Sequence, residues 1–258
     1  MKVALTIAGS DPSGGAGIQA DLKTFTRLGV YGTAVVTALT IQNTTGIQEV
    51  VRVPSDLFRK QLATLLEDVP IQAVKTGMIL DAETIEIIQE HLKKYGVASY
   101  VLDPIMRSSN GFPVLSKNDV EILKKLLFPL AMLVTPNLKE AEQLTGLIIR
   151  SERDMEQAAK EIQGMGPQAV LVKGGHLEGA AVDVLYDGTK IMRFRRPRIT
   201  RSRIHGAGCV LSSAIVAGLA RGLSLPKSIQ QAKAFVYRAI QQAKPVGGGR
   251  MPLNLLKD

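Results

Sequence analysis

The sequence has one cysteine, Cys209, and no tryptophan. A single thiol cannot form an intramolecular disulfide, so the fold does not depend on an oxidising compartment. Apolar runs of membrane-spanning length are also missing, and the first apolar run reaches Ser10 and Asp11 too early for the core of a secretory signal peptide. We therefore expect a soluble, cytoplasmic protein with no membrane partner.

Aromatic residues make up only 4% of the chain, which argues against a surface that stacks nucleic-acid bases. Helix-turn-helix, zinc-binding and RNP patterns are absent as well. Acidic residues are rare in one region, since residues 188–258 contain 14 Lys and Arg but a single acid, Asp258. A polyphosphate ligand or a nucleic acid would suit this basic region, although a solvated hairpin face explains many of the arginines equally well. We expect no nucleic-acid partner.

Apolar residues are plentiful: 45% of the 258 residues are hydrophobic, which is enough to bury a sizeable core. Apolar, strand-like runs alternate with segments of helical period and no linker separates them. This order predicts a single α/β domain over residues 1–258, with a mostly parallel sheet covered on both faces. Ser55 and Asp81 are predicted helix caps, and Asp187-Gly188 a hairpin turn. Ligands bind beyond the carboxyl ends of parallel strands, where the chain places Asp11, Gln42, Met78, Asp103, Asn137 and Lys173.

The first predicted strand is followed by the glycine-rich stretch "GSDPSGGAGIQAD". It is not a Walker A loop, because Gly15 and Ala16 stand where that motif needs Lys and Ser or Thr. A match to the dinucleotide-binding pattern is weak, since the second strand offers no acid for a ribose hydroxyl. A tight turn explains some of the glycines. The nearby Asp11 and Asp21 favour a small polar substrate that docks on this turn.

The stretch "HGAGC" precedes a long apolar helix. Gly206 and Gly208 leave backbone amides and the positive end of the helix open to an anion. A thiol at such a position has a lowered pKa, so Cys209 is a candidate base or nucleophile, with His205 nearby in sequence to share its proton. The alternative is that Cys209 is a small buried apolar side chain.

Three further stretches carry candidate ligand groups. In "TPNLKEAEQLTG", Asn137 and Glu140 are one helical turn apart and suit a hydrated Mg²⁺, but they also suit a helix cap. Lys173 in "VKGGH" could neutralise phosphate or be an ordinary exposed lysine. Asp103 in "VLDPIM" lies at the catalytic edge of the sheet or forms an Asp-Pro turn. The amide of Gln42 suits the edge of a heteroaromatic ring or holds a loop.

Together, "LTIAGSDPSGGAGIQADLKTF", "ALTIQNTTG", "TPNLKEAEQLTG", "VKGGH" and "HGAGC" resemble the bifunctional hydroxymethylpyrimidine/phosphomethylpyrimidine kinases of thiamine biosynthesis, which are ribokinase-like. The similarity runs over about residues 3–254. It implies a three-layer α/β/α sandwich without a separate lid domain, ATP and Mg²⁺ as cofactors, and often a homodimer. The implied reaction moves the γ-phosphate of ATP to 4-amino-5-hydroxymethyl-2-methylpyrimidine and then converts the monophosphate to the diphosphate.

The resemblance also implies roles for individual residues. Cys209 would be the base, and the amides of Gly206, Ala207 and Gly208 would form an anion hole. Gln42 would bind the aminopyrimidine, in a pocket lined by Ala16, Thr40, Met78 and Ile105, with Asp21 close by as a further substrate-binding residue. The nucleotide would contact Asn137, Lys173 and Lys233, and the candidate metal ligands are Glu140 and Asp103.

The chain departs from the family pattern at three places. Ala207 replaces the threonine of "HGTGC". Arg107 stands in a loop where many relatives have a lysine, and Arg201 and Arg203 stand where uncharged residues are common. Two other functions remain open: a pyridoxal or pyridoxine kinase, against which Gln42 weighs, and a non-catalytic nucleic-acid-binding protein that uses the basic region.

Overall fold

The computed structural model describes residues 1–107, 111–175, 177, 179–200 and 204–256. Its strands are β1 Val3–Ser10, β2 Tyr31–Asn43, β3 Gly46–Arg52, β4 Ala73–Thr76, β5 Tyr100–Leu102, β6 Leu133–Val134, β7 Val170–Gly174, β8 Ala181–Tyr186, β9 Ile191–Arg196, β10 Ile204–His205 and β11 Met251–Pro252. Its helices are α1 Gly17–Arg27, α2 Ser55–Asp68, α3 Ala82–Lys94, α4 Lys117–Leu126, α5 Leu138–Thr145, α6 Glu152–Gln163, α7 Ala207–Ala220 and α8 Leu225–Gln241, with a 3₁₀ turn at Phe128–Leu130.

Nine strands form one sheet in the order β3-β2-β1-β4-β5-β6-β7-β8-β9. The six strands from β2 to β7 in this order are parallel, whereas β3, β8 and β9 pair antiparallel at the two edges. The chain passes from β1 to β2 on one side and later returns to β4 on the other. The crevice between β1 and β4 is therefore the topological switch point, where open α/β sheets bind their ligands.

Side chains alternate between two apolar cores, one on each face of the sheet. In β1, for example, Ala4 belongs to one core and Leu5 to the other. Helices α2 to α6 pack on the Leu5 face, and α1, α7 and α8 pack on the Ala4 face. This confirms the predicted α/β/α sandwich with its mostly parallel sheet.

Helix α7 is apolar around its whole circumference, and ten of its 14 residues are buried. A helix with this composition is a core element. Its position at the centre of one layer fixes its N-terminus at the carboxyl edge of the sheet, beside β1 and β4. The most apolar helix of the chain thereby brings Cys209 to the switch point.

Helix and hairpin signals were confirmed in most cases. Asp81 caps α3 by accepting a hydrogen bond from the Thr84 amide, and the β8–β9 hairpin turns at Asp187 and Gly188. The prediction for Ser55 is wrong, because Pro54 is the N-cap of α2 and the buried Ser55 hydroxyl has no partner among the described residues. In the described part of the chain, no helix combines the length and the apolar character needed to cross a bilayer.

Candidate active site

The switch point between β1 and β4 is closely packed around glycines. A Cβ atom on Gly9 would lie 3.0 Å from the sulfur of Met78, and one on Gly77 would lie 3.1 Å from the Cβ of Ala8 and 3.9 Å from Ile105 Cδ1. Both glycines therefore let neighbouring backbone and side chains approach. Met78 and Ile105, which were predicted to line a substrate pocket, lie at this crevice.

The N-terminus of α7 lies against the glycine-rich turn that follows β1. Its N-cap, Gly206, has a left-handed backbone with φ of +81°, and a Cβ there would lie 1.8 Å from the carbonyl oxygen of Gly15. A Cβ on Gly208 would lie 3.4 Å from Lys173 Nζ and 3.8 Å from Asp103 Oδ2. The first turn carries no acidic residue. Open amides, the helix dipole and Lys173 thus converge on one spot, which suits an anion.

Cys209 is half-buried in the first turn of α7. Burial raises the pKa of its thiol to about 11, although the Lys75 ammonium and a hydrogen bond from the Gly17 amide act in the opposite direction. This is the reverse of the lowered pKa predicted from the helix terminus. Desolvation of a thiolate outweighs the nearby positive groups here.

His205 joins two elements that are far apart in sequence. Its Nε2 lies 2.9 Å from Asp11 Oδ2 and 3.3 Å from Gln42 Nε2. The pairing of β10 with β11, together with the contact of Gly15 with the imidazole ring, sets the position of His205. This nitrogen therefore faces Asp11 and Gln42, whereas sequence proximity suggested a role beside Cys209.

Asp11 organises the glycine-rich turn. Its carboxylate accepts hydrogen bonds from the Ser13 amide and hydroxyl and from the Ala16 amide. Burial would raise the pKa of Asp11, but the bonds from His205 and Ser13 outweigh it and hold the pKa below its usual value. Asp11 is thus an anion that fixes Ala16.

Gln42 and Thr40 meet beside this turn. The Thr40 hydroxyl lies 2.8 Å from the Ser10 carbonyl oxygen and 3.1 Å from Gln42 Oε1. Together with His205, these contacts bring Ala16, Thr40 and Gln42 to one end of the crevice. Three of the residues predicted to contact a substrate are therefore neighbours.

Asp103 and Lys173 form a buried ion pair at the ends of β5 and β7. Lys173 Nζ lies 2.8 Å from Asp103 Oδ1, which also accepts a hydrogen bond from Thr135. Burial would raise the pKa of Asp103, but Lys173 and Lys75 lower it below its ordinary value. Ser212 of α7 lies 3.4 Å from the other carboxylate oxygen. Asp103 is thus ionised and surrounded by donors.

Asn137 and Glu140 form a capping box at the start of α5. The backbone N–H of Asn137 donates to Glu140 Oε2 at 2.7 Å, and the backbone N–H of Glu140 donates to Asn137 Oδ1 at 3.0 Å. Burial raises the pKa of Glu140 to about 7, opposed by the charge of Lys173 and reinforced by that of Asp103. The structure therefore contains the helix cap that the sequence suggested as one alternative. Glu140 also lies close enough to Lys173 and Asp103 to interact with both charges.

Comparison with known proteins identifies the family. The model of the phosphomethylpyrimidine kinase family matches residues 11–254, nearly the whole chain. The chain belongs to the phosphomethylpyrimidine kinase family.

Several members of this family and related kinases are similar over most of the chain. A hydroxymethylpyrimidine/phosphomethylpyrimidine kinase of Aquifex aeolicus is 44% identical over 96% of this chain and 97% of its own length. The bifunctional thiamine biosynthesis protein ThiED of Geobacter sulfurreducens is 47% identical over 97% of this chain, which spans only 51% of that longer protein.

Solved structures give the same picture. The phosphomethylpyrimidine kinase of Clostridium difficile matches with a TM-score of 0.83 and 43% identity, over 93% of this chain and all of that one. A pyridoxal kinase of Bacillus subtilis in complex with ADP matches with a TM-score of 0.91 and 39% identity, over 98% of this chain and 96% of that one.

Two residues predicted for ligand binding are already engaged within the phosphomethylpyrimidine kinase fold. Lys233 of α8 lies 2.5 Å from the Asp183 carboxylate, whose other oxygen accepts the Gly174 amide. Asp21 has no exposed surface and is bound by Lys75, Thr6 and Ser213. The prediction that Asp21 borders the substrate pocket therefore needs correction, because its carboxylate belongs to the buried interior.

The residues that depart from the family pattern lie in different structural surroundings. Ala207 leaves the backbone amides of the α7 terminus in place. Arg107 is exposed, and its guanidinium lies 3.4 Å from the Gly111 carbonyl oxygen. Arg201 and Arg203 lie outside the described residues. The residue that sequence reasoning missed is Lys75, although a lysine inside the apolar strand "QAVKTGM" was a visible signal.

Proposed function

We propose that this chain transfers the γ-phosphate of ATP to the hydroxymethyl group of 4-amino-5-hydroxymethyl-2-methylpyrimidine and then phosphorylates the resulting monophosphate. The observation that carries this proposal is the N-terminus of α7, where open amides lie beside Cys209, Lys173 and the glycine-rich turn. The names of the most similar family members agree with this substrate. The diphosphate product would serve thiamine biosynthesis.

The migrating phosphoryl group would sit at the mouth of α7. The amides of Ala207, Gly208 and Cys209 point out of the helix, and Gly206 lets the chain approach the turn at Gly15. Phosphoryl transfer relies mainly on positioning and on stabilising charge at the equatorial oxygens. Backbone donors supply both, so we expect the missing threonine hydroxyl at Ala207 to have a small effect.

The pyrimidine would bind beside the N-terminus of α7, where His205, the residue before Gly206, meets Gln42. Gln42 offers an amide to the ring edge, and its orientation is held by Thr40 and His205. Because Asp11 is ionised, the facing His205 nitrogen carries the proton that it donates to Asp11. The Gln42 atom that faces His205 would then be its oxygen, which leaves the amide nitrogen near Thr40. Met78, Ile105 and Ala16 would pack against the ring.

Cys209 would lie beside the reacting hydroxyl. A thiol with a pKa of about 11 is almost fully protonated at neutral pH. The loose transition state of phosphoryl transfer demands little of a base, because the attacking hydroxyl loses its proton late. We assign Cys209 the role of positioning the hydroxyl and accepting its proton in the small thiolate fraction, which predicts a rate that rises with pH.

The triphosphate of ATP would extend from α7 towards the end of β7 and the start of α5. Lys173 could neutralise a phosphate oxygen, and Asn137 and Lys233 border the same edge of the sheet. In the structure, the Lys173 ammonium is bound to Asp103 and the Lys233 ammonium to Asp183. A phosphate would therefore share each ammonium group with a carboxylate.

The residues present fit a magnesium ion held largely by phosphate. Glu140 is a buried carboxylate whose pKa is raised to about 7, so a cation nearby would relieve its desolvation. Among the described residues, no group of three or more His, Cys, Asp or Glu could hold a metal. A single carboxylate together with phosphate oxygens and water is a common arrangement for Mg²⁺. When bound, Mg²⁺ would neutralise charge on the transferring phosphate. Of the two candidate ligands, Glu140 fits better, because donors already surround Asp103.

Coupled nucleotide-release assays with hydroxymethylpyrimidine, its monophosphate and pyridoxal test this function. We expect turnover of both pyrimidines. Pyridoxal is the second candidate, favoured by the pyridoxal kinases of Staphylococcus aureus and Bacillus subtilis, which match with TM-scores of 0.91 to 0.92. Turnover of pyridoxal alone would contradict the pyrimidine assignment. Nucleic-acid binding on DNA cellulose without any kinase turnover would contradict both.

We further propose a homodimer in the cytoplasm, where ATP is available. The β2–β3 hairpin exposes one apolar face, with Leu39, Ile41 and Val51 46–55% exposed. Leu39 and Val51 are directly opposite each other. Sedimentation of Leu39→Glu should show a monomer, whereas Ile148→Glu, at an exposed position outside this hairpin, should stay dimeric. A monomeric unmodified protein at micromolar concentration would contradict this assembly.

A further inference from the structure

A fully buried ion pair lies behind Cys209 and has no role in the function proposed above. Lys75 Nζ of β4 is 2.9 Å from Asp21 Oδ1 of α1, and neither side chain has exposed surface. The Thr6 hydroxyl is 2.6 Å from Asp21 Oδ2, and the Ser213 hydroxyl of α7 is 2.5 Å from Asp21 Oδ1. A buried pair often stabilises a fold no better than apolar residues of the same size would. Its presence here therefore calls for a different explanation.

On α1 and on α7, a residue of this cluster lies one helical turn beyond the thiol or its hydrogen-bond donor. Gly17, at the start of α1, donates its amide to the Cys209 thiol, and Asp21 follows four residues later. On α7, Ser213 follows Cys209 by four residues and bonds to Asp21. Residues four apart share one face of a helix. Asp21 thus lies about one turn of helix behind the thiol, and Lys75 reaches the same carboxylate from β4.

Charged groups from four elements face the thiol. Burial raises the thiol pKa most strongly; Lys75 of β4 lowers it, and Asp21 of α1 and Asp103 after β5 raise it. Lys173 of β7 also interacts with the thiol charge. Lys75 and Asp21 differ from the other two, because they have no contact with the surface where a ligand would bind.

We infer that Lys75 and Asp21 are an opposed pair of positioning residues that act through Cys209: Lys75 favours the thiolate and Asp21 opposes it. The inference rests on the proposed function only in placing Cys209 beside the reacting hydroxyl. At an effective dielectric constant of about 20, a unit charge roughly 6–10 Å away shifts a pKa by roughly one to two units. Removing one member of the pair should therefore move the thiol by about that amount, and the two removals should act in opposite directions.

The single cysteine makes this measurable without any kinase assay. Iodoacetamide can modify one thiol only, so the rate of mass increase at fixed pH reports the thiolate fraction of Cys209. At about pH 8.5 we expect Lys75→Met to react about tenfold or more slowly than the unmodified protein, and Asp21→Asn to react several-fold faster. Thr6→Val is the matched control, because it removes a hydrogen bond to Asp21 but no charge, and its rate should stay within about twofold. Carbon-13 labelling of cysteine gives one resonance, whose titration checks the same order independently of reagent access.

Lys75→Met leaves a buried carboxylate unpaired and can fail to fold. The double variant Lys75→Met/Asp21→Asn removes both charges and keeps the packing. It should react more slowly than Asp21→Asn alone by the same factor, about tenfold. Equal rates for these two variants, or shifts of the same sign in both single variants, would overturn the inference.

The same variants separate this inference from the proposed function. If Cys209 accepts the substrate proton, the rising limb of kcat/KM against pH should move to higher pH in Lys75→Met, by the same amount as the pKa of the thiol. A thiol that shifts while the kinetic profile stays in place supports the pair but contradicts the assignment of Cys209 as proton acceptor. An unshifted thiol with normal kinase activity contradicts the pair alone.

Discussion

Replacing Gly206 by alanine should disable the phosphoryl site. The N-cap of α7 has φ of +81°, and an added Cβ would lie 1.8 Å from the Gly15 carbonyl oxygen. Left-handed backbone destabilises an alanine by about 1–2 kcal/mol. Relief of the overlap to a tolerable 3.0 Å further requires the turn and the helix mouth to separate by about 1.2 Å. A displacement of about 1 Å at a reacting centre can reduce the rate on the order of 100-fold. We therefore expect kcat/KM for hydroxymethylpyrimidine to fall by about that factor.

Gly222→Ala is the matched control for this variant. Gly222 has φ of +84°, and a Cβ there would meet nothing within 4 Å. The alanine has the same backbone strain at both positions, but only Gly206→Ala separates the turn from the helix. Urea unfolding should show a loss of about 1–2 kcal/mol for Gly222→Ala with unchanged kcat/KM. Equal kcat/KM in the two variants would refute the placement of the phosphoryl group at the mouth of α7.

Two more variants test individual groups in the site. Cys209→Ala should lower kcat by about 100-fold while calorimetric binding of Mg-ATP stays near normal, because the backbone amides and Lys173 remain; full turnover would make the thiol purely structural. Glu140→Gln keeps the capping box, since glutamine also serves at that position. The raised pKa of Glu140 stabilises the fold below about pH 4.5, and this contribution is lost as the pH rises through about 7. Urea titrations should therefore show the unmodified protein losing about 3 kcal/mol more than Glu140→Gln between these pH values. An identical pH dependence of both proteins would show that Glu140 is not desolvated, and an unchanged KM for Mg-ATP would argue against its role at the metal.

The carboxyl edge of the sheet was predictable because its elements follow local rules. Long apolar runs that stop at Asp103 and before Asn137 mark parallel strands, and the glycines before a uniformly apolar helix mark the anion site. The strand ends meet because parallel strands share one edge. Gln42, Met78 and Lys173 accordingly lie at the carboxyl ends of β2, β4 and β7, and their roles toward ligands remain predictions.

Contacts that depend on tertiary packing were not predictable. His205 meets Asp11 across 194 residues of sequence, and no local pattern encodes that approach. Asp21 was placed at the ligand because it follows the glycine-rich turn. Its position on α1 instead directs it into the layer between α7 and β4, where Lys75 is buried. The sequence shows which residues are charged, but it does not show which charged residue pairs with which.

The thiol pKa was predicted with the wrong sign for a related reason. Helix termini lower a thiol pKa when the sulfur is well solvated, and Cys209 is not. Its surroundings are α1, β4 and α7, whose packing removes water from the sulfur. The competition between desolvation and the nearby cations can be judged only once the depth of burial is known.

The most direct test of the phosphoryl site is a crystal structure with hydroxymethylpyrimidine and a non-hydrolysable ATP analogue. We expect the γ-phosphate within hydrogen-bonding distance of the amides of Ala207, Gly208 and Cys209, with the substrate hydroxyl beside the Cys209 sulfur and the ring against Gln42. A triphosphate bound elsewhere, with the N-terminus of α7 out of its reach, would contradict the proposed mechanism.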